Sequence, residues 1–250
     1  MHDPVDLHPE RSRLIRKLES IADLTPDEER AVFGLPMAVR TMPADQDIVR
    51  IGDRPSECCL VVDGFVCRYD LLNGGKRQIL SFHISGDIPD LQSLFLDVMD
   101  HSLRTMTPSR LAFIPHDSLR TLLRQHAGLA AAFWRDTLID AAVFREWMVG
   151  LGRREASQRV AHLLCEMLVR LKAIGQATDH ACDLPMTQAE FGDALGLSTV
   201  HVNRTLQDLR ASGLIESRGH VHTIRDWNGL KRLADFDPTY LHLRDTSVAA

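Results

Sequence analysis

Residues 184–224 read LPMTQAEFGDALGLSTVHVNRTLQDLRASGLIESRGHVHTI, and this stretch decides how the rest of the chain is understood. Thr187 and Glu190 have capping-box spacing: the hydroxyl accepts from the Glu190 amide while the carboxylate reaches back to the Thr187 amide. A helix is therefore predicted from Gln188, with Phe191 and Leu195 on its inner face. Gly192 stands where two helices would cross closely. Gly196 supplies the left-handed residue that ends a helix, Leu197 plugs the turn, and Ser198 is a good N-cap for a second helix. In that second helix Val202, Leu206 and Leu209 form the inward stripe. Val200, Arg204, Gln207 and Ala211 fall on the outward face, with Asn203 on its shoulder and Thr199 and His201 flanking the N-terminal end. Two short helices meeting at a glycine turn present the second helix to the major groove of DNA.

The outward residues carry chemistry suited to that task. Arg204 can donate two hydrogen bonds to guanine O6 and N7, whereas Val200 can only touch a thymine methyl. Ser198 and His201, near a helix N-terminus, suit phosphate contact. After Gly213, Leu214-Ile215 leads into a tight turn at Ser217-Arg218-Gly219-His220. On the return strand Val221 and Thr223 alternate with His222 and Ile224, giving a half-buried hairpin. It reads as a wing with Arg218 and His220 at its tip. The expected DNA-binding residues are Ser198, Thr199, Val200, His201, Asn203, Arg204, Gln207, Arg218 and His220. Taken singly, each is equally at home on a solvated helix or turn; the spacing of box, glycine turn and cap is what points to DNA.

Outward from this head, the 250 residues allow two compact domains or one large one. Composition is that of a globular protein, 44% apolar and 25% charged. No run of about 18 apolar residues offers a membrane span. The N-terminus, with Asp3, Asp6 and Glu10, lacks the apolar segment of a secretory signal, so a cytoplasmic protein is expected. The net charge of −5 is uneven: residues 150–232 hold eleven Lys or Arg against nine Asp or Glu. A specific binder needs only a local basic surface. Cys58, Cys59, Cys67, Cys165 and Cys182 show no C-x-x-C pair and no metal-ligand spacing. Cys67 shares an apolar strand face with Phe65 and Tyr69 and is expected buried. Cys58 and Cys59 should point to opposite faces of a strand.

Before residue 115 the chain reads as short strands separated by turns. Residues 47–50, 58–62, 65–72, 77–84 and 110–114 are the candidate strands. They are separated by Gly52-Asp53-Arg54-Pro55, Asp63-Gly64, Asn73-Gly74-Gly75-Lys76 and Ser85-Gly86-Asp87. Closely spaced strands with glycine turns suit a small antiparallel roll. From about 126 to 151 the pattern becomes helical, with Trp134, Leu138, Ala141 and Met148 on a heptad-like stripe flanked by Phe133, Phe144 and Trp147. So apolar a helix must be covered, by the roll or by a second copy of itself. A second copy is preferred because one helix-turn-helix reads only a half-site. A further helix is expected from Arg153-Arg154 through Leu171, with Val160, Leu163, Leu164, Met167 and Leu171 inward.

A roll, a long helix and a winged helix-turn-helix in this order resemble the Crp/Fnr family of bacterial transcription regulators, over roughly residues 30–230. The resemblance rests on Gly64 and the hairpin glycines, Gly86-Asp87, and residues 195–206, LGLSTVHVNRTL. Leu151-Gly-Arg-Arg154 with Arg159-Val160 resembles the Fnr/FixK-like branch. It implies a homodimer that binds a palindromic promoter site and acts on RNA polymerase. Cyclic-AMP-binding members carry Gly-Glu for the ribose and Arg-Ser for the cyclic phosphate. The matching effector-pocket positions here are Pro89, Asp90, His101 and Ser102. Without the arginine a buried phosphate lacks its bidentate counter-charge, so no cyclic AMP response is expected. There is no cysteine before Cys58, so the cluster of the oxygen-sensing branch is not expected either. A glutamate used for base readout in many members aligns with Val200, while Arg204 is retained.

The expected fold is therefore α+β. An antiparallel cyclic-nucleotide-binding-like β-roll spans residues 1–125 and a dimerisation helix 126–151. A winged helix-turn-helix spans 152–232 and a tail 233–250. The expected function is a sequence-specific, homodimeric, DNA-binding transcription regulator that is not an enzyme, binds no metal and has no predicted cofactor. Haem or another small effector is left open. The alternatives are a dimeric sensor or scaffold with a vestigial DNA head, and an enzyme on the roll using His83, His101 or His116, for which no H-x-H or H-E-x-x-H spacing occurs.

Overall fold

The structure, a computed structural model, describes residues 8–177, 180–245 and 247. Asp3 and Asp6, on which the reading of the N-terminus partly rests, lie outside the described residues, as does the end of the tail. Two helices that the strand-rich reading missed come first: α1 (Pro9–Glu19) and α2 (Pro26–Phe33). Their signals were legible. Pro9 sits at a first helical turn, and Thr25 and Glu28 form the same capping box as Thr187 and Glu190.

Strands β1 (Ala38–Met42), β2 (Asp47–Val49), β3 (Glu57–Asp63), β4 (Val66–Leu71), β5 (Arg77–His83), β6 (Ser102–Thr105) and β7 (Ser109–Pro115) follow. They form two sheets, β1-β7-β3 and β2-β6-β4-β5. The pairs β1–β7, β3–β7, β2–β6 and β4–β6 are antiparallel. Then come α3 (His116–Gln125), α4 (Ala127–Arg153) and α5 (Ala156–Ala173). The head comprises β8 (Ala181–Asp183), α6 (Gln188–Leu195), α7 (Thr199–Ala211), β9 (Ile215–Arg218), β10 (Val221–Ile224) and α8 (Trp227–Ala234). The further helix does not begin at Arg153-Arg154. Helix α4 runs through Arg153, and α5 starts after Glu155, whose side chain pairs with Gln158 in a capping box.

By its contacts the chain divides into two compact units: the residues up to Tyr69 with Phe82–Leu138, and Asp70–Ser81 with the residues from Ile139 onward. In the first unit, Cys58 and Cys59 show how strand alternation divides the core. Cys58, Leu60 and Val62 join a cluster with Leu14, Ile15 and Leu18 of α1 and Leu129, Ala132 and Phe133 of α4. Cys59 and Val61 instead line the roll interior with Val49, Val66, Met99, Leu103, Leu111 and Phe113. Each such leucine or phenylalanine contributes about 1.5–3 kcal/mol of burial, so α1 is a full member of the fold. Its Lys17 Nζ lies 2.7 Å from Asp87 Oδ1 and 3.4 Å from Asp136 Oδ1. Gly86 is required where α1 meets the roll: its φ is +94°, and a Cβ there would meet the Arg13 carbonyl at 2.8 Å.

Helix α4 is 27 residues long and two-faced. Phe133, Ile139, Ala142, Val143 and Trp147 are buried, whereas Trp134 is 65% exposed and Met148 72%. The second unit is built around α5, which is apolar and buried from Val160 to Leu171 apart from His162, Glu166 and the half-buried Arg170. Glu166 is fully buried and accepts from Trp147 Nε1 (3.0 Å), Tyr240 Oη (2.8 Å) and Arg170 Nη1 (3.3 Å). A buried carboxylate needs that many donors to offset its lost hydration. Tyr240 lies in a short 3-10 helix, Pro238–Leu241, so this part of the tail is ordered onto α5, with Phe236 and Leu241 buried.

Candidate nucleic-acid interface

The head forms as its local residues dictate. Thr187 Oγ1 accepts from the Glu190 amide at 3.2 Å, and Glu190 Oε2 accepts from the Thr187 amide at 2.7 Å. Gly196 adopts φ +63°, ending α6. A Cβ on Gly192 would lie 2.5 Å from the Leu197 carbonyl oxygen, so glycine here sets the approach of α6 to the turn. Ser198 Oγ accepts from the His201 amide at 3.2 Å and caps α7.

Helix α7 buries Val202, Thr205, Leu206 and Leu209. Thr199, Val200, Arg204, Gln207 and Ala211 are exposed, Val200 to 80%, and His201 is half-buried. An isolated valine so exposed contributes nothing to the core, which leaves its methyls for an external surface. Asn203 is half-buried because its Nδ2 donates to Gln188 Oε1 at 3.1 Å, a bond between the two helices that residue spacing did not disclose.

The wing is a three-stranded sheet, β8-β10-β9, rather than a hairpin alone. Three-residue β8 escaped notice because only Cys182 marks its buried face. His222 is buried, packs in a T-shaped contact with Phe191, and pairs Nδ1 with Ser217 Oγ at 3.0 Å. Burial lowers its pKa to about 4, so it is neutral at pH 7. Arg218, at the tip, donates from Nε to Glu216 Oε1 at 2.9 Å, yet its side chain remains 85% exposed. Glu216 is also held by Arg225, and the two guanidiniums keep its carboxyl below the usual range. His220 is exposed beside Arg218.

The four effector-pocket positions are engaged with the protein itself. Asp90 Oδ1 accepts from the Cys59 amide at 2.8 Å. Burial pushes its carboxyl up to about 7, against the pull of that amide and of Arg68. Arg68, buried on β4, donates Nη2 to the Pro89 carbonyl at 2.5 Å. His101 bonds Asp100 Oδ1 through Nδ1 (2.6 Å) and Gln92 through Nε2 (3.1 Å). Ser102 Oγ accepts from the Ile51 amide at 3.1 Å. The sequence reading missed Arg68, since its partners are some twenty residues away. His83, His101 and His116 each face a different neighbour: Asp87, Asp100 and Ser93. All five cysteines are buried free thiols, and burial raises the pKa of Cys58, Cys59, Cys165 and Cys182. Such thiols resist oxidation.

A winged helix-turn-helix behind a β-roll defines a two-part DNA-binding transcription regulator. A model of the Crp-like helix-turn-helix domain matches residues 158–233, and a model of the cyclic nucleotide-binding domain matches 39–126. A probable transcriptional activator of Rhizobium leguminosarum bv. viciae is 29% identical over 196 residues, covering 78% of this chain and 80% of that protein. The nitrogen fixation regulation protein FixK of Rhizobium meliloti is 28% identical over 185 residues, covering 73% and 80%. The solved structure of FixK2 from Bradyrhizobium japonicum superposes with a TM-score of 0.72 at 27% identity, covering 81% of this chain and 98% of that one. In the type and order of its two domains the chain is similar to regulators of the Crp/Fnr family. Among the described residues no helix is long and apolar enough to cross a membrane.

Proposed function

We propose that the protein is a homodimer that reads a two-fold symmetric promoter site, one α7 per half-site. The observation that carries this is the unpartnered stripe of α4. Ala131, Trp134, Leu138, Ala141, Arg145 and Met148 recur at alternating spacings of three and four residues, and all but half-buried Ala141 are exposed. That repeat is the seam of a two-helix coiled coil, and leaving Trp134 and Met148 in water forfeits their burial. A dimer also supplies the second reading head that a half-site binder lacks. Accordingly residues 1–125 are the sensory roll, 126–151 the dimerisation helix, 152–232 the reading head and 233–250 its tail, in a cytoplasmic regulator that acts with RNA polymerase.

In α7, Arg204 contacts guanine, Val200 a thymine methyl, and Thr199, Asn203 and Gln207 the remaining groove surface. Ser198, His201, Arg218 and His220 contact phosphates. The signal is not cyclic AMP. A cyclic phosphate would meet no arginine at position 101, a histidine already bonded to Asp100 and Gln92, and the carboxyl group of Asp90.

Gel-shift selection with the full chain against fragments of its own genome at physiological salt tests the reading. A small set of fragments retained against excess competitor is expected. Retention of all fragments alike, or of none, would overturn it in favour of a dimeric scaffold.

A further inference from the structure

We propose that Gln188, which lies outside the recognition helix, positions Asn203 to read adenine, so that the two amides act as one specificity-determining unit; this rests on α7 being the groove-entering helix. The bond from Asn203 Nδ2 to Gln188 Oε1, at 3.1 Å, joins residues fifteen apart in sequence and on different helices. A primary amide has two N–H donors and one acceptor oxygen. While Gln188 presents Oε1, rotating the Asn203 amide by half a turn would set oxygen against oxygen and lose the bond. With the N–H anti to Oδ1 given to Gln188, the free edge presents Oδ1 and the syn N–H side by side. One acceptor beside one donor complements the major-groove edge of adenine, whose N6 amino group donates and whose N7 accepts. Guanine offers two acceptors at that edge and is not matched.

The backbone that carries this anchor is fixed. Gln188 is the first residue of α6, directly after the Thr187–Glu190 capping box, whose bonds span 2.7 to 3.2 Å. The close approach at Gly192 then fixes α6 against the turn into α7, where a Cβ would stand 2.5 Å from the Leu197 carbonyl. A glutamine or asparagine held before contact loses less rotamer freedom on binding DNA, and so discriminates more sharply. Asn203 neighbours Arg204 along the helix, so the adenine belongs to the same half-site as the guanine assigned to Arg204.

The test is selection of bound sequences from a random duplex pool by the full chain and its variants, with thermal melting as a check of folding. The wild type should select adenine at one position of each half-site. Asn203→Ala should reduce that preference by roughly 5- to 100-fold and leave the other positions intact. Asn203→Ser serves if the alanine variant melts early. Gln188→Ala should blunt preference at the same position only. Gln188→Glu keeps an acceptor for the Asn203 amide and should retain the preference, despite weaker binding overall. Uniform weakening by Asn203→Ala at every sequence would overturn the proposal and make Asn203 a phosphate contact. Unchanged selection by Gln188→Ala would overturn the positioning role. A wild type that selects no sequence at all would refute the broader reading of α7 instead.

Discussion

Replacing Asp90 by Asn separates the electrostatic burden of the roll from its packing. The carboxyl is 2% exposed and titrates near pH 7 when folded, against 3.8 for a free side chain. Between these values the folded protein holds a proton that the unfolded chain has released, so stability falls as pH rises through that window and levels off above it. Three pH units at about 1.4 kcal/mol each give a total cost of about 4 kcal/mol. By the same relation, roughly 2–3 kcal/mol of it accrues between pH 5 and pH 8. Asparagine keeps the acceptor for the Cys59 amide and never ionises. Any fixed penalty from its new amino group is independent of pH, so the difference between variant and wild type isolates the titration. Urea denaturation of both proteins at pH 5, 6, 7 and 8 should show the variant gaining on the wild type by that 2–3 kcal/mol. A difference constant across this range would refute the view that burial raises the pKa of this carboxyl.

Arg204→Ala should weaken binding to a selected site by about 1–3 kcal/mol and relax preference at one base pair, checked by competition titration; equal weakening on all sequences would make it a phosphate contact. Gly192→Ala places a Cβ 2.5 Å from a backbone oxygen that cannot give way cheaply. It should lower head stability by about 1–3 kcal/mol in thermal denaturation, with DNA affinity falling as well. Tyr240→Phe removes one donor from the buried Glu166 carboxylate. A loss of about 1.5–3 kcal/mol by urea titration is expected, whereas a tail with no structural role would leave the midpoint unchanged.

The head was almost wholly legible because its determinants are local. A cap, its box and a left-handed glycine act within four residues, so Thr187, Glu190, Gly196 and Ser198 could be placed by spacing alone. Helix α4 was legible in type for a similar reason: its stripe repeats for about four turns. What escaped depends on distant partners. Short β6 was hidden because His101 and Ser102 suit pocket positions, while β1, exposed at four of its five residues, and three-residue β8 show no alternation. Arg68 looks like an ordinary strand charge until Pro89 and Asp90 are folded beside it. The pairing of Asn203 with Gln188 and the gathering of Trp147, Arg170 and Tyr240 around Glu166 likewise join residues from different elements. Helices α1 and α2 were a different omission, since the Thr25–Glu28 box was visible and went unused beside the stronger strand signals.

The central claim, a two-fold regulator joined along α4 and reading DNA through α7, is tested most directly by the mass of its complex with a duplex carrying one selected site. Sedimentation equilibrium of the full chain with that duplex should give two chains per duplex. The Trp134→Asp variant, with a charge in the seam, should bind far more weakly while still unfolding cooperatively. One chain per duplex at the same affinity, unaffected by Trp134→Asp, would contradict the account.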